Sequence, residues 1–184
     1  MGDIKNSGNR GKFAFDPSSI GPQYFDPFAE TYNRSFLTQF IPPIINDVTQ
    51  KDCKATLFMI DIDDFKHIND SYGHLVGDQA IKNVASIFKH AIRDNDYVIR
   101  YAGDEFVIVL TDTSLEISYK TAERIIEKVR SSQFLFNNQP IKQTISMGFA
   151  LFPDDANVLE GLIERADQAL YLAKKRGKNN FAYY

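Results

Sequence analysis

The chain has 184 residues, of which 43% are hydrophobic and 24% are charged, and its formal net charge is −3. These values fit one globular domain with a sizeable core, and the acidic balance argues against a general nucleic-acid-binding surface, which needs clustered lysine and arginine. The single cysteine, Cys53, excludes an intramolecular disulfide and a cysteine-rich zinc site and is compatible with a reducing cytoplasm.

Nothing in the sequence predicts insertion into a membrane. No apolar run approaches the roughly 20 residues that a transmembrane helix needs, and no signal-peptide pattern opens the chain. We therefore expect a cytoplasmic segment that has no nucleic-acid polymer as a partner.

The first 25 residues mix Gly, Asn, Ser, Lys and Pro without periodicity. They are interpreted as a linker, a tag remnant or the end of an upstream segment, and residues 26–184 as one domain. From residue 28 to residue 48, apolar side chains recur three and four positions apart, which predicts an amphipathic helix. Because proline removes a backbone donor and clashes with the preceding turn, this helix is expected to be interrupted or to end at Pro42-Pro43.

A continuous apolar run predicts a strand over residues 55–62 that is covered on both faces of a sheet. Asp61 interrupts this run near its C-terminal end. For the polar segment 63–74 we expect a helical turn and then a loop at Gly73. The periodicity of residues 75–93 then predicts a longer amphipathic helix.

Two adjacent carboxylates, Asp104 and Glu105, lie at the tip of a predicted hairpin. Residues 97–99 and 106–110 are interpreted as short buried strands, with a tight turn between them. Gly103 supplies the positive φ that such a turn often needs. Acidic residues are common in turns, where they are simply solvated; the alternative is a functional pair.

The C-terminal part contains four further predicted elements: a helix over residues 114–130, a strand over 141–152, a helix over 158–176 and an edge strand over 181–184. After the first helix, the order of elements is βα, hairpin, αβαβ. This order favours an α+β domain with a central, mainly antiparallel sheet flanked by helices.

The acidic strand end and the acidic turn together suggest a metal site. An isolated ionised carboxylate in an apolar setting is costly, and the apolar run that ends in Asp61 contains no basic residue. If the two strands lie side by side, Asp61 and Asp104 would suit Mg²⁺, which prefers oxygen ligands and usually keeps some waters or phosphate oxygens.

Several blocks of the sequence form a recognisable set. They are Asp61-Ile62-Asp63-Asp64-Phe65-Lys66, Asn69-Asp70, Gly73-His74, Gly77-Asp78, Ala102-Gly103-Asp104-Glu105-Phe106, Ser146-Met147-Gly148-Phe149-Ala150 and residues 166–179. Together they resemble the GGDEF domain of the diguanylate cyclase family, from about residue 26 to the C-terminus. The resemblance implies a fold like that of class III nucleotidyl cyclases and the polymerase palm. It also implies the condensation of two GTP molecules into cyclic di-GMP and two pyrophosphates.

The resemblance implies roles for the acidic residues. Asp61, the Ile62 carbonyl oxygen and Asp104 would hold Mg²⁺, or Mn²⁺ in its place. Asp104 or Glu105 would help to remove the proton of the attacking ribose 3′-hydroxyl, and the sequence does not separate these two. Divalent ions that bridge phosphate and protein oxygens would stabilise the charge that gathers at the α-phosphate.

A guanine pocket is implied as well. Asn69 and Asp78 match the pair that reads guanine in the family, and His74 would line the same pocket. A carboxylate can accept hydrogen bonds from guanine N1–H and the 2-amino group, which adenine does not offer in that arrangement. The alternatives are an asparagine that fixes a loop, an aspartate that caps a helix and a histidine at the surface.

Three lysines are candidates for contact with the triphosphate. Lys174 and Lys178 match family positions that meet it, and they lie four residues apart, on one face of the last helix or at its end. The usual residue at the second position is arginine, so the charge is kept while bidentate geometry is lost. The alternative is a solvated basic helix end. Lys66 would meet phosphate or pair with a nearby acid.

The segment Arg93-Asp94-Asn95-Asp96 has the RxxD pattern at the family's usual offset before the signature turn. It resembles the inhibitory site at which the product, cyclic di-GMP, binds, and Arg124 would contribute from the next helix. The alternative is a plain ion pair at a helix end, which contributes little at a surface.

Two features depart from the family's pattern. Ala102 replaces the first glycine of the signature, and residues 26–34 keep only Asp26 and Asn33-Arg34 of the family's DxLTGLxNR block. A methyl group at position 102 is tolerable where φ is negative.

Because both carboxylates and the guanine pair are intact, we expect an active enzyme. The alternatives are a catalytically silent module that binds cyclic di-GMP or GTP, and a plain interaction domain that relays a signal. In the family one subunit binds one GTP, so turnover is expected to need a homodimer.

Overall fold

Nine strands and five helices cover most of residues 20–51 and 53–184, the part of the chain that the computed structural model describes, without the side chain of Thr49. The helices are α1 (Arg34–Gln50), α2 (Phe65–Tyr72), α3 (His74–Ala91), α4 (Leu115–Ser131) and α5 (Leu159–Lys175). The strands are β1 (Phe25–Asp26), β2 (Thr31–Asn33), β3 (Lys54–Ile62), β4 (Tyr97–Ala102), β5 (Glu105–Thr113), β6 (Phe134–Phe136), β7 (Gln139–Ile141), β8 (Ile145–Phe152) and β9 (Phe181–Tyr183). No helix in this described part is long and apolar enough to cross a membrane.

Strand β3 lies near the middle of the main sheet. Seven strands form this sheet in the order β1-β2-β4-β5-β3-β8-β9. β3 pairs antiparallel with both β5 and β8, whereas β2 with β4 and β8 with β9 pair in parallel. The predicted α+β class with a mainly antiparallel central sheet flanked by helices is confirmed.

Both faces of β3 are covered, as its continuous apolar run predicted. Successive side chains of a strand point to opposite faces of the sheet. Phe58 and Ile60 therefore join a core cluster with residues of α3 and α4, and Leu57 and Met59 join a second cluster with residues of α1 and α5. Each of these four side chains is at most 3% exposed, so the strand is fixed on both sides.

The first helix begins later than predicted. Residues 31–33 form β2 and pair in parallel with β4, so α1 begins at Arg34 instead of residue 28. The Phe36 amide donates a hydrogen bond of 3.2 Å to Asn33 Oδ1, an interaction typical of a helix N-cap.

The prediction that α1 is interrupted or ends at Pro42-Pro43 is wrong, because both prolines lie inside the helix. The helix buries a row of side chains on both sides of the prolines: Phe36, Leu37, Ile41, Ile44, Ile45 and Val48. Burial of such side chains typically contributes about 1.5–3 kcal/mol each, which offsets the backbone hydrogen bonds that the prolines cannot donate.

The strand predicted over residues 141–152 is two elements. β7 ends at Ile141 and pairs with β6 in a separate two-stranded sheet, and β8 begins at Ile145. Asn137 and Asn138, with φ of 49° and 62°, form the turn between β6 and β7; asparagine adopts this conformation more readily than most residues.

The predicted linker over residues 1–25 lies largely outside the described residues, since the description starts at residue 20. Ile20 is buried, and the Phe25 ring stacks on Tyr32 with 4.9 Å between the ring centroids. Residues 20 and 25 thus contact the rest of the fold. The interpretation of residues 1–19 stays a prediction.

Gly148 allows α5 to lie directly against β8. A Cβ atom at this position would stand 2.0 Å from Leu170 N and 2.2 Å from Ala166 O, both of them backbone atoms. We predict that Gly148→Ala pushes the helix away from the sheet and lowers the free energy of unfolding in urea by about 3 kcal/mol, the upper part of the range for overpacked cores.

The matched control is Gly161→Ala, in the first turn of α5. A Cβ atom there would lie 3.3 Å from the Ala156 Cβ, and alanine favours a helix over glycine by about 1 kcal/mol, so the change is expected to stay within about 1 kcal/mol. Equal unfolding midpoints for the two variants would contradict the close approach at Gly148.

Candidate functional site

The predicted acidic residues meet at one edge of the sheet. Asp61, near the end of β3, is the cross-strand partner of Glu105, the first residue of β5. Asp104 lies in the turn between β4 and β5, and its carbonyl oxygen accepts a 3.4 Å hydrogen bond from the Ile62 amide. The two strands thus lie side by side as predicted, and we refer to Asp61, Asp104 and Glu105 as the carboxylate edge.

The turn between β4 and β5 accommodates the variant signature. Gly103 has a φ of 40°, the conformation for which glycine was predicted here. Ala102 is exposed and its φ is not positive. The methyl group at position 102 therefore causes no backbone strain.

Burial and mutual repulsion act on the carboxylate edge. Burial raises the pKa of Asp61; the Lys174 ammonium opposes this effect, while Asp104 and Asp63 add to it. Burial also raises the pKa of Glu105, and the charges of Asp61 and Asp104 raise it further. The ionised edge therefore favours the approach of a cation.

Lys174, in the last turn of α5, supplies one cation. Its Nζ lies 2.8 Å from Asp61 Oδ2, and the Asp61 side chain is 16% exposed. The close packing of α5 on β8 at Gly148 sets the distance of this helix from the sheet. The predicted phosphate ligand is therefore held directly at the predicted metal ligand.

The oxygen atoms of the carboxylate edge fit a hard divalent ion that is only partly bound by protein. Within residues 20–51 and 53–184, no three His, Cys, Asp or Glu side chains form a group that could hold a metal ion by themselves. Two carboxylates and the Ile62 carbonyl oxygen would fill only part of the coordination shell of such an ion. Mg²⁺ commonly binds through one or two carboxylates and completes its shell with waters and substrate phosphates.

Asn69 and His74 lie on either side of Gly73, where α2 ends and α3 begins. Gly73 has a φ of 86° and its amide donates a 2.8 Å hydrogen bond to the Asn69 carbonyl oxygen. Asn69 Oδ1 is buried without a hydrogen-bond partner, and a Cβ atom on Gly77 would stand 1.9 Å from it. The structure thus places the Asn69 side chain against the first turn of α3.

His74 and Asp78 are both exposed and lie one turn apart on α3. Residues four apart share one helix face. The three predicted pocket residues, Asn69, His74 and Asp78, therefore lie around the first turns of one helix.

Lys178 lies beyond α5, in the turn that leads to β9. Its φ is 62°, and its Nζ lies 2.6 Å from Asp64 Oδ1, with the Asp64 side chain 63% exposed. Lys66, in the first turn of α2, is exposed. Lys174 thus pairs with Asp61, which belongs to β3, and Lys178 pairs with Asp64, which follows shortly after the end of this strand.

Asp63 fixes the surroundings of the site, a role that the sequence did not predict. It is 5% exposed and accepts three hydrogen bonds, from Thr144 Oγ1 (2.7 Å), Ser146 Oγ (2.6 Å) and the Asn179 amide (2.9 Å). Asp63 thereby ties the end of β3 to β8 and to the turn that carries Lys178. The signal in the sequence was its place in the Asp61-Ile62-Asp63 block.

Arg100 connects the signature turn to the start of the domain. Its Nη1 lies 3.1 Å from Asp26 Oδ2, and its Nε donates a 2.9 Å hydrogen bond to the Gly103 carbonyl oxygen. Asp26 Oδ1 in turn accepts hydrogen bonds from the Phe28 and Ala29 amides, each 2.9 Å long. The retained Asp26 of the degenerate block thus holds the turn that carries Asp104.

Arg93, Asp96 and Arg124 lie together in a groove of about 570 Å³ between α3, β5 and α4. Asp96 Oδ2 accepts a 3.0 Å hydrogen bond from the Arg93 amide, and Asp96 Oδ1 accepts one of 3.1 Å from the Thr111 amide. Arg124 Nη2 donates a 2.7 Å hydrogen bond to the Ala91 carbonyl oxygen. Burial raises the pKa of Asp96, although these amides lower it.

The groove is cationic. Besides the two arginines, three further nitrogen-bearing side chains line it: His90, Lys120 and Lys128. The Asp96 carboxylate is joined to Arg93 through the backbone amide of Arg93, so this contact is not an ion pair between the two side chains.

A comparison with protein families adds to this geometry. The family model described as diguanylate cyclase, GGDEF domain, matches residues 23–180. The chain is 39% identical over 155 residues to diguanylate cyclase DosC of Escherichia coli (strain K12), which covers 84% of this chain and 34% of that protein. It is 39% identical over 135 residues to diguanylate cyclase A of Treponema denticola, which covers 73% of this chain and 36% of that protein. The chain thus spans about a third of the length of these curated relatives.

Solved structures have the same fold. The coiled coil and GGDEF domain of DgcB from Caulobacter crescentus, in complex with c-di-GMP, superimposes with a TM-score of 0.82 at 27% identity, covering 88% of this chain and 86% of that one. The active GGEEF domain of a diguanylate cyclase from Vibrio cholerae gives a TM-score of 0.76 at 30% identity, covering 83% and 96%.

We predict that Asp63→Ala lowers the free energy of unfolding by about 3 kcal/mol, because it leaves three donors without a charged acceptor in a buried place. Urea denaturation of wild type and variant measures this change. The matched control is the neighbouring Asp64→Asn, which removes an exposed ion pair with Lys178, keeps a residue type that tolerates the φ of 54° at this position, and is expected to cost less than about 1 kcal/mol. A small effect at both positions would show that Asp63 does not hold the site together.

Proposed function

The chain belongs to the diguanylate cyclase GGDEF-domain family, and from this premise we propose that it condenses two GTP molecules into cyclic di-GMP with release of two pyrophosphates. The observation that carries the proposal is the carboxylate edge, where Asp61, Asp104 and Glu105 meet beside Lys174. Acidic oxygens that can hold a divalent ion, beside a lysine ammonium that can meet phosphate, suit the transfer of a nucleotidyl group.

Asp61, Asp104 and the Ile62 carbonyl oxygen would hold Mg²⁺, or Mn²⁺ in its place, and the bound ion would supply positive charge to the phosphate oxygens. Lys174 can exchange Asp61 for the triphosphate, since a compact ammonium binds phosphate as a point charge. Lys178 can leave Asp64 in the same way, and Lys66 is exposed in the first turn of α2.

The reaction joins the ribose 3′-oxygen to the α-phosphorus and breaks the bond to the β-phosphate oxygen. The hydroxyl proton has to pass to a base. We assign this proton to the Glu105 carboxylate, because it lies at the carboxylate edge opposite Asp61 and is the one carboxylate there that the proposal does not give to the ion. Asp104 then remains as a ligand of the ion.

Guanine recognition follows from the residues around α3. Asn69 Oδ1 is an unpaired buried acceptor, and the exposed Asp78 carboxylate can accept from guanine N1–H and the 2-amino group. A base without these donors would leave both acceptors unpaired, which is costly in a desolvated pocket. His74 completes the lining.

Two subunits are needed for turnover in this proposal. The residues above form one nucleotide site per chain, and two GTP molecules have to face each other for reciprocal attack. A two-fold homodimer provides such an arrangement. The rate per chain is therefore expected to rise steeply with protein concentration.

The groove with Arg93, Asp96 and Arg124 is proposed as the place where cyclic di-GMP binds and inhibits. Its cations match the two phosphates of the product, and Arg93 can bind a phosphate or a guanine edge bidentately. The related DgcB domain was solved with c-di-GMP. The same groove supports the second candidate function, a silent module that binds cyclic di-GMP.

Incubation with GTP and Mg²⁺, with the product identified by mass, tests the enzyme directly. Asp104→Asn is predicted to reduce the rate at least about 100-fold, the effect typical of losing one electrostatic contact in a transition state. The matched control is Asp112→Asn, an exposed aspartate at the other end of β5 with a φ of 49°, and its rate is expected to equal that of wild type. If wild type forms no cyclic di-GMP at high protein concentration, the proposed enzyme is contradicted, and binding of cyclic di-GMP then separates the silent module from a plain interaction domain.

Isothermal titration calorimetry with cyclic di-GMP tests the inhibitory groove. Arg93→Ala is predicted to weaken binding at least about tenfold, because a charged contact with phosphate contributes roughly 1.5–3 kcal/mol. The control is Arg130→Ala, an exposed arginine of α4 that pairs with Glu127, which should bind the product as wild type does. Equal affinities of wild type and Arg93→Ala would place the product elsewhere.

A further inference from the structure

The outer face of α5 carries one stripe of charged and polar side chains. Residues three, four and seven positions apart share a helix face, and the members of this stripe are Glu160, Glu164, Asp167, Gln168, Tyr171, Lys174 and Lys175. All of them except the partly buried Lys174 are exposed to solvent. We refer to these residues as the α5 stripe.

Charge is unevenly distributed along the α5 stripe. Its acids lie in the first part of the helix, and its two lysines lie in the last turn. Two of its side-chain contacts stay within α5: Gln168 Nε2 donates a 3.3 Å hydrogen bond to Glu164 Oε1, and Lys175 Nζ lies 4.6 Å from the centre of the Tyr171 ring. The stripe thus presents an acidic end, an aromatic ring and a basic end to solvent.

The helix dipole explains only part of this pattern. It favours an acid in the first turn and a lysine in the last turn, such as Glu160 and Lys175, and its effect falls off within one turn. It does not explain Asp167 in the middle of the helix, or a Tyr171 ring that is 57% exposed beside a Leu172 side chain that is 43% exposed. Within residues 20–51 and 53–184, no ion pair joins the charges at positions 160, 167 and 175 to another element.

The α5 stripe is complementary to a second copy of itself that runs antiparallel. A two-fold axis beside Gln168, perpendicular to the helix, brings Glu160 of each copy opposite the partner's Lys175. The same axis brings Glu164 opposite the partner's Tyr171. Such an interface is isologous, because the same patch serves on both copies. Opposite charges then meet at both ends, and tyrosine, which often contributes strongly to binding, lies near the centre.

One margin of the α5 stripe adjoins the carboxylate edge. Asp167 and Lys174 lie about two turns apart on this margin. Lys174 Nζ lies 2.8 Å from Asp61 Oδ2. Besides burial and the nearer acids, the charge of Asp167 raises the pKa of Glu105. An antiparallel pair leaves both carboxylate edges on the same side of the two helices, whereas a parallel pair puts them on opposite sides. Reciprocal attack between two nucleotides needs the first arrangement.

We propose that two copies of this chain pair antiparallel through the α5 stripe, and that this pairing brings their two nucleotide sites together. The second clause rests on the proposed function, whereas the pairing itself is a property of the surface. α5 has 17 residues, so the contact is about 25 Å long at 1.5 Å per residue. A contact made largely by exposed charges is weak and sensitive to salt, in agreement with a rate that rises steeply with protein concentration.

Charge reversal tests the pairing, with the dimer dissociation constant of the whole chain measured by sedimentation equilibrium at low salt. Glu160→Lys and Lys175→Glu each place like charges opposite one another at both ends of the pair. Each variant alone is therefore expected to dimerise at least about tenfold more weakly than wild type. An equimolar mixture of the two variants restores both attractions and should dimerise about as tightly as wild type. Positions 160 and 175 lie about 22 Å apart along one helix, so only a contact between chains explains such a rescue.

Two further variants locate the contact. Tyr171→Ala removes the ring near the centre of the pair at a largely exposed position, and it should weaken the dimer at least about tenfold. The matched control for charge reversal is Glu123→Lys, an exposed acid of α4, a helix that also has 17 residues. This control should dimerise as wild type does.

The pairing is overturned by a wild type that stays monomeric up to its highest soluble concentration, by reversed variants that dimerise as wild type does, or by a mixture no tighter than either variant alone. The rate of cyclic di-GMP formation in the same samples separates the surface from the proposed function. Product formed at the wild-type rate by both reversed variants would remove the role of the α5 stripe and leave the enzyme. Rescue of the dimer without any product would keep the surface and contradict the enzyme.

Discussion

The repulsion among three carboxylates at the shared end of β3 and β5 is the constraint on which the candidate site depends. Asp61 cannot turn away from Asp104 and Glu105, because β3 is fixed on both faces and paired on both edges. Burial raises the pKa values of Asp61 and Glu105, and the neighbouring carboxylates raise them further. A cation reduces the repulsion among these carboxylates, and the Lys174 ammonium beside Asp61 is a cation that the chain itself supplies.

The surrounding structure holds this edge in place from three directions. Asp63 fixes the end of β3 to β8 and to the turn of Lys178, Arg100 fixes the signature turn to Asp26, and Gly148 allows α5 to bring Lys174 close to the sheet. Each of these three residues lies in a β-strand or directly after one. Sites held in this manner keep their geometry better than sites on free loops.

The sequence predicted those parts of the fold that depend on local patterns. The apolar run of β3, the turn at Gly103 and the amphipathic helices carry their signals within a few residues, and they are confirmed. The predicted start of α1 was wrong because residues 31–33 pair with β4, a strand that is distant in the sequence. The prediction that α1 is interrupted or ends at Pro42 and Pro43 was wrong for a related reason, since the tertiary packing that keeps the helix intact cannot be read from the local sequence.

The candidate site was predictable where a motif carried it. Asp61, Asp104 and Glu105 come together as the adjacent strands required, and Arg93, Asp96 and Arg124 share a groove. The burial of Asp63 depends on donors from Thr144, Ser146 and Asn179 that no local pattern connects to it.

In the proposed function, the carboxylate edge is a divalent-ion site at which Lys174 is the counterion of Asp61 until a nucleotide binds. A crystal structure of the chain with Mg²⁺ and a non-hydrolysable GTP analogue tests this most directly. We expect an ion bound by Asp61, Asp104 and the Ile62 carbonyl oxygen, with Lys174 moved from Asp61 to the triphosphate. A nucleotide bound elsewhere, with Lys174 still paired to Asp61 and no ion between the two strands, would contradict it.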